Sequence, residues 1–180
     1  MREKIENSVQ NTHSILNTQY SILMTKYSIL NTKDSIKLVE CPRDAMQGIH
    51  EFIPTELKIN YLNSLLEVGF DTLDFGSFVS PKAIPQMSDT ALVLEKLELS
   101  STPTKLLAII ANLRGAEEAL EFEQISYLGF PLSVSETFQL RNTNKTIAQS
   151  FEQLKEIQEL VLKKKKTLIV YLSKIGRAHV

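Results

Sequence analysis

The residues of this sequence best suited to chemistry are Pro42-Arg43-Asp44-Ala45-Met46-Gln47 and a second acid, Asp74. The first group follows the strand-like run IKLVEC at 36–41, and Asp74 falls in a second short run at 72–75. In parallel α/β folds the carboxyl ends of the strands carry the chemistry. Neighbouring strands lie about 4.8 Å apart, so side chains from the first two can meet above the sheet. Asp44 and Asp74 are then placed to share a hard cation such as Mg²⁺, which prefers oxygen ligands and keeps several waters. Arg43 offers a planar, permanently charged fork for a carboxylate or an enolate oxygen. Further rim candidates are the segment Gly76-Ser77-Phe78-Val79-Ser80-Pro81-Lys82, Asn112, and Ser135-Glu136.

Each has a plainer reading. An Arg-Asp pair after a strand is commonly a turn or a salt bridge, and Asp74 alone can cap a loop. Cys41 reads as a small buried residue, because no histidine is placed to activate it. His50 reads as a solvated loop residue. The run Lys163 to Lys166 complements a helix dipole at a C-terminus before it suggests a polyanion.

The elements that must position these residues alternate. Strand-like runs are expected at 36–41, 72–75, 105–111, 130–135 and 167–172, the third and last almost wholly apolar, as for strands covered on both faces. A helix over 54–68 places Leu57, Tyr61, Leu62, Leu65 and Leu66 on one face and stops at Gly69. A second, over 88–97, has Ser88 as N-cap, with Leu92, Leu94 and Leu97 inward. A third spans 115–122. The longest, 145–165, buries Ile147, Phe151, Leu154, Ile157 and Val161. Five strands and four helices in alternation call for a parallel sheet with right-handed crossovers. No GxGxxG follows the first strand, which weighs against a dinucleotide fold. An eight-unit barrel needs about 250 residues. About 140 are available from 35 to 173, slightly more than half a barrel.

The 180 residues carry 20 basic and 21 acidic side chains, a balance that gives no whole-molecule attraction for nucleic acid or an anionic membrane. One cysteine excludes an internal disulfide framework, and no Cys/His cluster has zinc spacing. No apolar run is long enough to span a membrane. A signal or transit peptide is not expected, because Arg2 and Lys4 stand beside Glu3 and Glu6. A reduced, cytoplasmic compartment is the default expectation. Residues 13–36 repeat a heptad, HSILNTQ-YSILMTK-YSILNTK-DSI. Its apolar spacing suits a coiled coil, but its strict Ser, Thr and Asn identity fits a tandem duplication better. Residues 1–34 are therefore expected to be a disordered extension. IGRAHV at 175–180 has the look of a translated library adapter. On that reading residues 174–180 are expected to be a non-native tail, with the gene cut near residue 173.

The stretch IKLVECPRDAMQGIHEFIPTELK, followed by GFDTLDFGSFVSPKAIPQMSDT, closely resembles the hydroxymethylglutaryl-CoA lyases. These belong to a metal-dependent lyase and Claisen-synthase group built on a (β/α)8 TIM barrel. The likeness runs from about Ile36 to Leu172. Its most specific part is SFVSPKAIPQM with PRD at the expected distance, and IAN-x-RG and SETFQLRN are similar to the lyase branch. The resemblance implies a partial TIM barrel, truncated at the C-terminus, in an enzyme that cleaves 3-hydroxy-3-methylglutaryl-CoA to acetoacetate and acetyl-CoA.

Residue by residue, the resemblance makes Arg43 the arginine that contacts the thioester and stabilises the enolate. It makes Asp44 a ligand of a divalent cation, Mg²⁺ or Mn²⁺. Ser77 matches a substrate-pocket serine and Gln47 a polar residue beside the metal-site loop. Asp74, counted with the substrate-binding residues, stands where the family usually has glutamate, and Ala45 where it has glycine. Two histidine ligands, an asparagine ligand and a loop cysteine of the family come later than this sequence reaches; Cys41 and His179 are not among them. An acyl-CoA substrate is implied, with no nucleic-acid or membrane partner, and a homodimer for the intact enzyme. The chain alone is expected to be inactive. A condensing acyl-CoA synthase of the same group, and a non-catalytic assembly protein using the heptads, are the alternatives.

Overall fold

The computed structural model describes residues 36–174. The repeat up to residue 35 and the tail at 175–180 lie outside the described residues.

Five strands form one sheet: β1 (Val39–Glu40), β2 (Thr72–Ser77), β3 (Lys105–Ile109), β4 (Ile125–Ser133) and β5 (Thr167–Ser173). All pairs are parallel and the order is β1-β2-β3-β4-β5. Every crossover therefore advances the same way. A doubly wound sheet reverses direction partway, whereas an unreversed order is that of a barrel wall.

Alternation along the strands divides the sheet into two faces. Leu73 and Phe75, Leu106, Ala108 and Ile110, and Leu128, Phe130 and Leu132 join the buried core. Helix residues Ile59, Leu62, Leu66, Ala116, Ala119, Ile157 and Val161 complete it. Each of the Leu, Ile, Val and Phe side chains among them contributes about 1.5–3 kcal/mol on burial. The intervening Asp74, Leu107, Ile109, Gly129 and Pro131 belong to the other face, that of a barrel's interior.

Among the described residues there are six α-helices, not four: α1 (Pro42–Gln47), α2 (Thr55–Val68), α3 (Thr90–Glu95), α4 (Leu113–Leu120), α5 (Glu136–Thr143) and α6 (Ile147–Lys163). The first extra helix begins at Pro42, which reads as a strand stop but is well suited to a first helical turn, where the missing N–H costs nothing. The second, α5, is too weakly amphipathic to announce itself by periodicity. β4 begins at Ile125, five residues earlier than expected.

Several expected faces shift by one residue. In α2, Leu57 and Tyr61 are exposed while Lys58 and Ile59 are buried. In α3, Leu92 is exposed and Val93 takes its place. In α6, Phe151 is exposed and Ser150 is buried. Ser88 does not cap α3. Asp89 holds the N-cap position without a side-chain cap bond, because its carboxylate is used elsewhere. β5 is not buried on both faces: it is an edge strand, with Leu172 and Tyr171 partly in solvent.

One buried polar cluster ties the rim loops together. Lys58, 2% exposed, reaches from α2 to Asp89 Oδ1 at 2.7 Å and to the carbonyl of Gln86. Thr55 Oγ1 donates to the other Asp89 oxygen at 2.7 Å, and the Phe52 ring lies 4.1 Å from the ammonium. Gln86 donates to the carbonyls of Ile49 and Glu51 and accepts from the Ile53 N–H. The loop after α1 is thereby fastened to the segment that follows β2.

Candidate active site

The carboxyl ends of β1 and β2 bring the two foremost candidates into contact. Arg43, in the first turn of α1, meets Asp74 from the middle of β2. Nε lies 3.0 and 3.1 Å from the two carboxylate oxygens and Nη2 lies 2.7 Å from Oδ2. Nη1 donates to Asp44 Oδ1 at 3.2 Å and to Gln47 Oε1 at 3.0 Å. Helical geometry explains the last contact, because residues 43 and 47 are one turn apart. A guanidinium has five N–H donors. Four are engaged by these three side chains, and one Nη2–H remains for a ligand.

The pair is largely dry: the Arg43 side chain is 12% exposed and that of Asp74 2%. Burial works against the Arg43 charge, but the hydrogen-bonded Asp74 outweighs it and holds the guanidinium pKa above its ordinary value. Burial lifts the Asp74 carboxyl above the usual carboxylate range, against the opposing pull of Arg43. Asp44 differs in kind. Its side chain is 74% exposed and touches only one edge of the guanidinium.

These residues border a cavity of about 660 Å³ on the interior face of the sheet. Cys41, Arg43, Asp44, Gln47 and Asp74 line it, together with the apolar Ile109, Ala111 and Pro131, with Asn142 and Thr143 at the end of α5, and with Tyr171 of β5. Sequence reasoning missed Tyr171. The available signal was its place in TLIVYL, where it shares register with Pro131.

Other expected site residues go elsewhere. Ser77 is buried, its Oγ accepting from the Val79 N–H at 3.3 Å, and it borders a separate small cavity. Asn112 caps α4 by accepting from the Gly115 N–H at 2.9 Å. Ser135 caps α5, and Glu136 accepts from the Ile147 N–H at the start of α6. Lys166 donates to the carbonyls of Phe122, Glu123 and Ile125, so that part of the lysine run is a structural clasp. Ala45 is helical, a conformation that needs no glycine. Cys41 is exposed at the cavity edge, not buried as its sequence context suggests, and partial burial of the thiol raises its pKa, the direction opposite to activation.

A shared Asp44–Asp74 cation site is not what the geometry gives, since Arg43 occupies the Asp74 carboxylate. Among the described residues no group of three or more His, Cys, Asp or Glu is gathered as a metal centre. The exposed Asp44 carboxylate fits an oxygen-preferring cation as one ligand of a set.

A wall of consecutive parallel strands with a clamped arginine at the carboxyl rim defines a partial (β/α) barrel of enzyme type. No family model matches the chain. Individual relatives do. Mouse mitochondrial hydroxymethylglutaryl-CoA lyase is 33% identical over 127 residues, 69% of this chain and 38% of the relative. The Bacillus subtilis hydroxymethylglutaryl-CoA lyase YngG is 34% identical over 134 residues, 74% of this chain and 44% of the relative. Among solved structures, a B. subtilis HMG-CoA lyase superimposes with a TM-score of 0.72 at 33% identity, covering 76% of this chain and 46% of that one. An Acinetobacter baumannii HMG-CoA lyase, in complex with coenzyme A and 3-methylmalate, gives 0.71 at 35%, covering 76% and 44%. By sequence and fold together, the chain belongs with the hydroxymethylglutaryl-CoA lyases. It spans about two fifths of the length of the relatives it matches.

Proposed function

We propose that this chain is the Arg43-bearing part of a lyase that cleaves 3-hydroxy-3-methylglutaryl-CoA to acetoacetate and acetyl-CoA. The Arg43–Asp74 clamp at the rim carries the reading. In this cleavage the tertiary hydroxyl loses its proton, the carbon–carbon bond breaks, and its electron pair moves onto the thioester as an enolate. Arg43 presents its remaining Nη2–H to the thioester oxygen, where the negative charge develops. Asp74 fixes the plane of the guanidinium, and Gln47 and Asp44 hold its second edge. Little reorganisation is then left for the reaction itself. Ser77 shapes the substrate pocket through the turn it stabilises at Val79.

Asp44 would hold a divalent cation, Mg²⁺ or Mn²⁺, together with ligands from outside residues 36–174. Such an ion, when bound, lowers the pKa of the substrate hydroxyl by Lewis acidity. With one ligand among the described residues, the chain alone binds the ion weakly and does not turn over. Among the described residues no helix is long and apolar enough to cross a membrane. A cytoplasmic, reduced setting, an acyl-CoA substrate and a homodimeric intact enzyme belong to the same proposal.

A chimera tests it. Residues 36–173 replace the corresponding segment of the B. subtilis lyase, and acetoacetate is measured with and without Mg²⁺. Metal-dependent cleavage, abolished by Arg43→Gln, is the expected result. A folded chimera that forms no acetoacetate, or that condenses acetyl-CoA with a 2-oxo acid instead, overturns the reading.

A further inference from the structure

The end of the sheet away from Arg43 carries another cavity, which the lyase reading does not use. It measures about 480 Å³ and lies at the amino ends of β3, β4 and β5. Tyr127 lines it, and Pro131 of the same strand lines the Arg43 cavity, about 13 Å further along. Four lysines border it, Lys105, Lys164, Lys165 and Lys166, against one acid, Glu123. Ser126, Tyr127 and Thr167 add hydroxyls. The imbalance is local, because the chain as a whole has nearly equal numbers of basic and acidic side chains.

The lysines differ in what holds them. Lys166 donates to the carbonyls of Phe122, Glu123 and Ile125, so it offers the cavity its charge and no free N–H. Lys105 lies over the Tyr127 ring, its Nζ 5.7 Å from the centroid, and Asp71 acts on it from outside the cavity. Among the described residues no hydrogen bond or ion pair holds Lys164 or Lys165. Lys165 is the telling position. α6 ends with the Lys165 N–H on the Leu162 carbonyl and the Lys166 N–H on the Val161 carbonyl, both at 3.0 Å. Such an ending turns the residue after the cap into the left-handed region, where glycine is favoured, yet the residue there is Lys165 at φ 56°. The helix dipole accounts for lysines in this turn, and Lys163, Lys164 and Lys166 already answer it. It gives no reason for a lysine at the glycine position. An anionic ligand does.

We infer that the cavity at the amino ends of β3, β4 and β5 is an anion site for a diphosphate group, held by Lys105, Lys164 and Lys165. A single phosphate carries roughly two negative charges, fewer than the three ammonium groups that are free to meet it, and a diphosphate matches them better. Lysine suits this task as a point charge that needs no fixed fork. The site is independent of the lyase reading. It stands on the opposite end of the strands from Arg43, so its occupant is a separate ligand and not the reacting acyl group.

The test titrates the full chain calorimetrically with inorganic pyrophosphate and with ADP, at low salt and without divalent cations. Pyrophosphate is expected to bind more tightly than inorganic phosphate, and added salt to weaken it. Lys164→Gln and Lys165→Gln are each expected to weaken it about tenfold, the loss of one charge-assisted hydrogen bond. Lys165→Gly separates ligand from fold. It relieves the left-handed residue, so its urea midpoint should rise while pyrophosphate binding falls about tenfold. ADP binding as tightly as pyrophosphate assigns the site to a diphosphate carried on a nucleotide, and pyrophosphate alone to the free anion; both uphold the inference. Lys165→Gly that binds pyrophosphate as well as wild type overturns it, as does a wild-type chain that binds neither probe. Binding that survives the Lys164→Gln, Lys165→Gln double variant and disappears in Arg43→Gln belongs to the other cavity and also overturns it.

Discussion

At the residue scale, the donor arithmetic of Arg43 makes the site specific. Asp74 binds two of its nitrogens, and the charge of a carboxylate makes that forked pairing strong. In the active chimera, Asp74→Asn is expected to lower kcat/KM by about 10²-fold, because the guanidinium is no longer held flat. Asp74→Glu keeps the charge and should stay within about tenfold of wild type, as read from steady-state kinetics. Tyr171 supplies a pH signature. Its pKa in the folded chain is raised, so the native state holds that proton more tightly than the unfolded chain does. The resulting stability is fully present below the ordinary phenol pKa and is lost as the pH rises through the folded value. Urea midpoints between pH 8 and pH 11 should thus fall further for wild type than for Tyr171→Phe.

At the element scale, the site depends on loops that the helices fasten. Lys58 and Asp89 are both buried, so removing one partner strands the other's charge. Lys58→Met should cost about 3–5 kcal/mol, and Lys58→Met with Asp89→Leu should recover much of it, as measured by urea unfolding. This pair and Gln86 were not legible in the sequence: Lys58 and Asp89 are 31 residues apart, and a lysine on an amphipathic helix reads as solvated. The stop of α2 was legible. Gly69 sits at φ +80°, as the end of the periodic pattern requires, and Gly69→Ala should cost about 1 kcal/mol. The short helix α1 was hidden by its own proline. Ser135 and Asn112 were visible as polar residues after strands, but whether such a residue caps a helix or meets a substrate depends on where the next helix begins.

At the scale of the whole molecule, the described sheet has two open edges. β1 is two residues long with Val39 half exposed, and Leu172 on β5 is 53% exposed. Unpaired edges of this kind template association. The purified chain is expected to self-associate with rising concentration, by light scattering or sedimentation, and Leu172→Lys to reduce it. The expectation of a fifth strand covered on both faces came from the apolar composition of TLIVYL. That composition suits a strand inside a closed barrel, and it reports what the sequence is fitted to bury rather than what these residues cover.

The sequence by itself determined the alternation of strands and helices, the parallel class, the distance from a full barrel, and the Arg43–Asp44–Asp74 grouping. Those follow from local periodicity and from the rule that parallel strands present their carboxyl ends together. Only the tertiary structure decided that Arg43 lies between the two acids instead of beside a shared ion, that Lys58 is buried, and that Tyr171 closes the cavity. Each is a matter of which distant side chains come within about 3 Å of one another, and hydrogen-bond geometry at that range is set by the packing of the sheet, not by spacing along the chain.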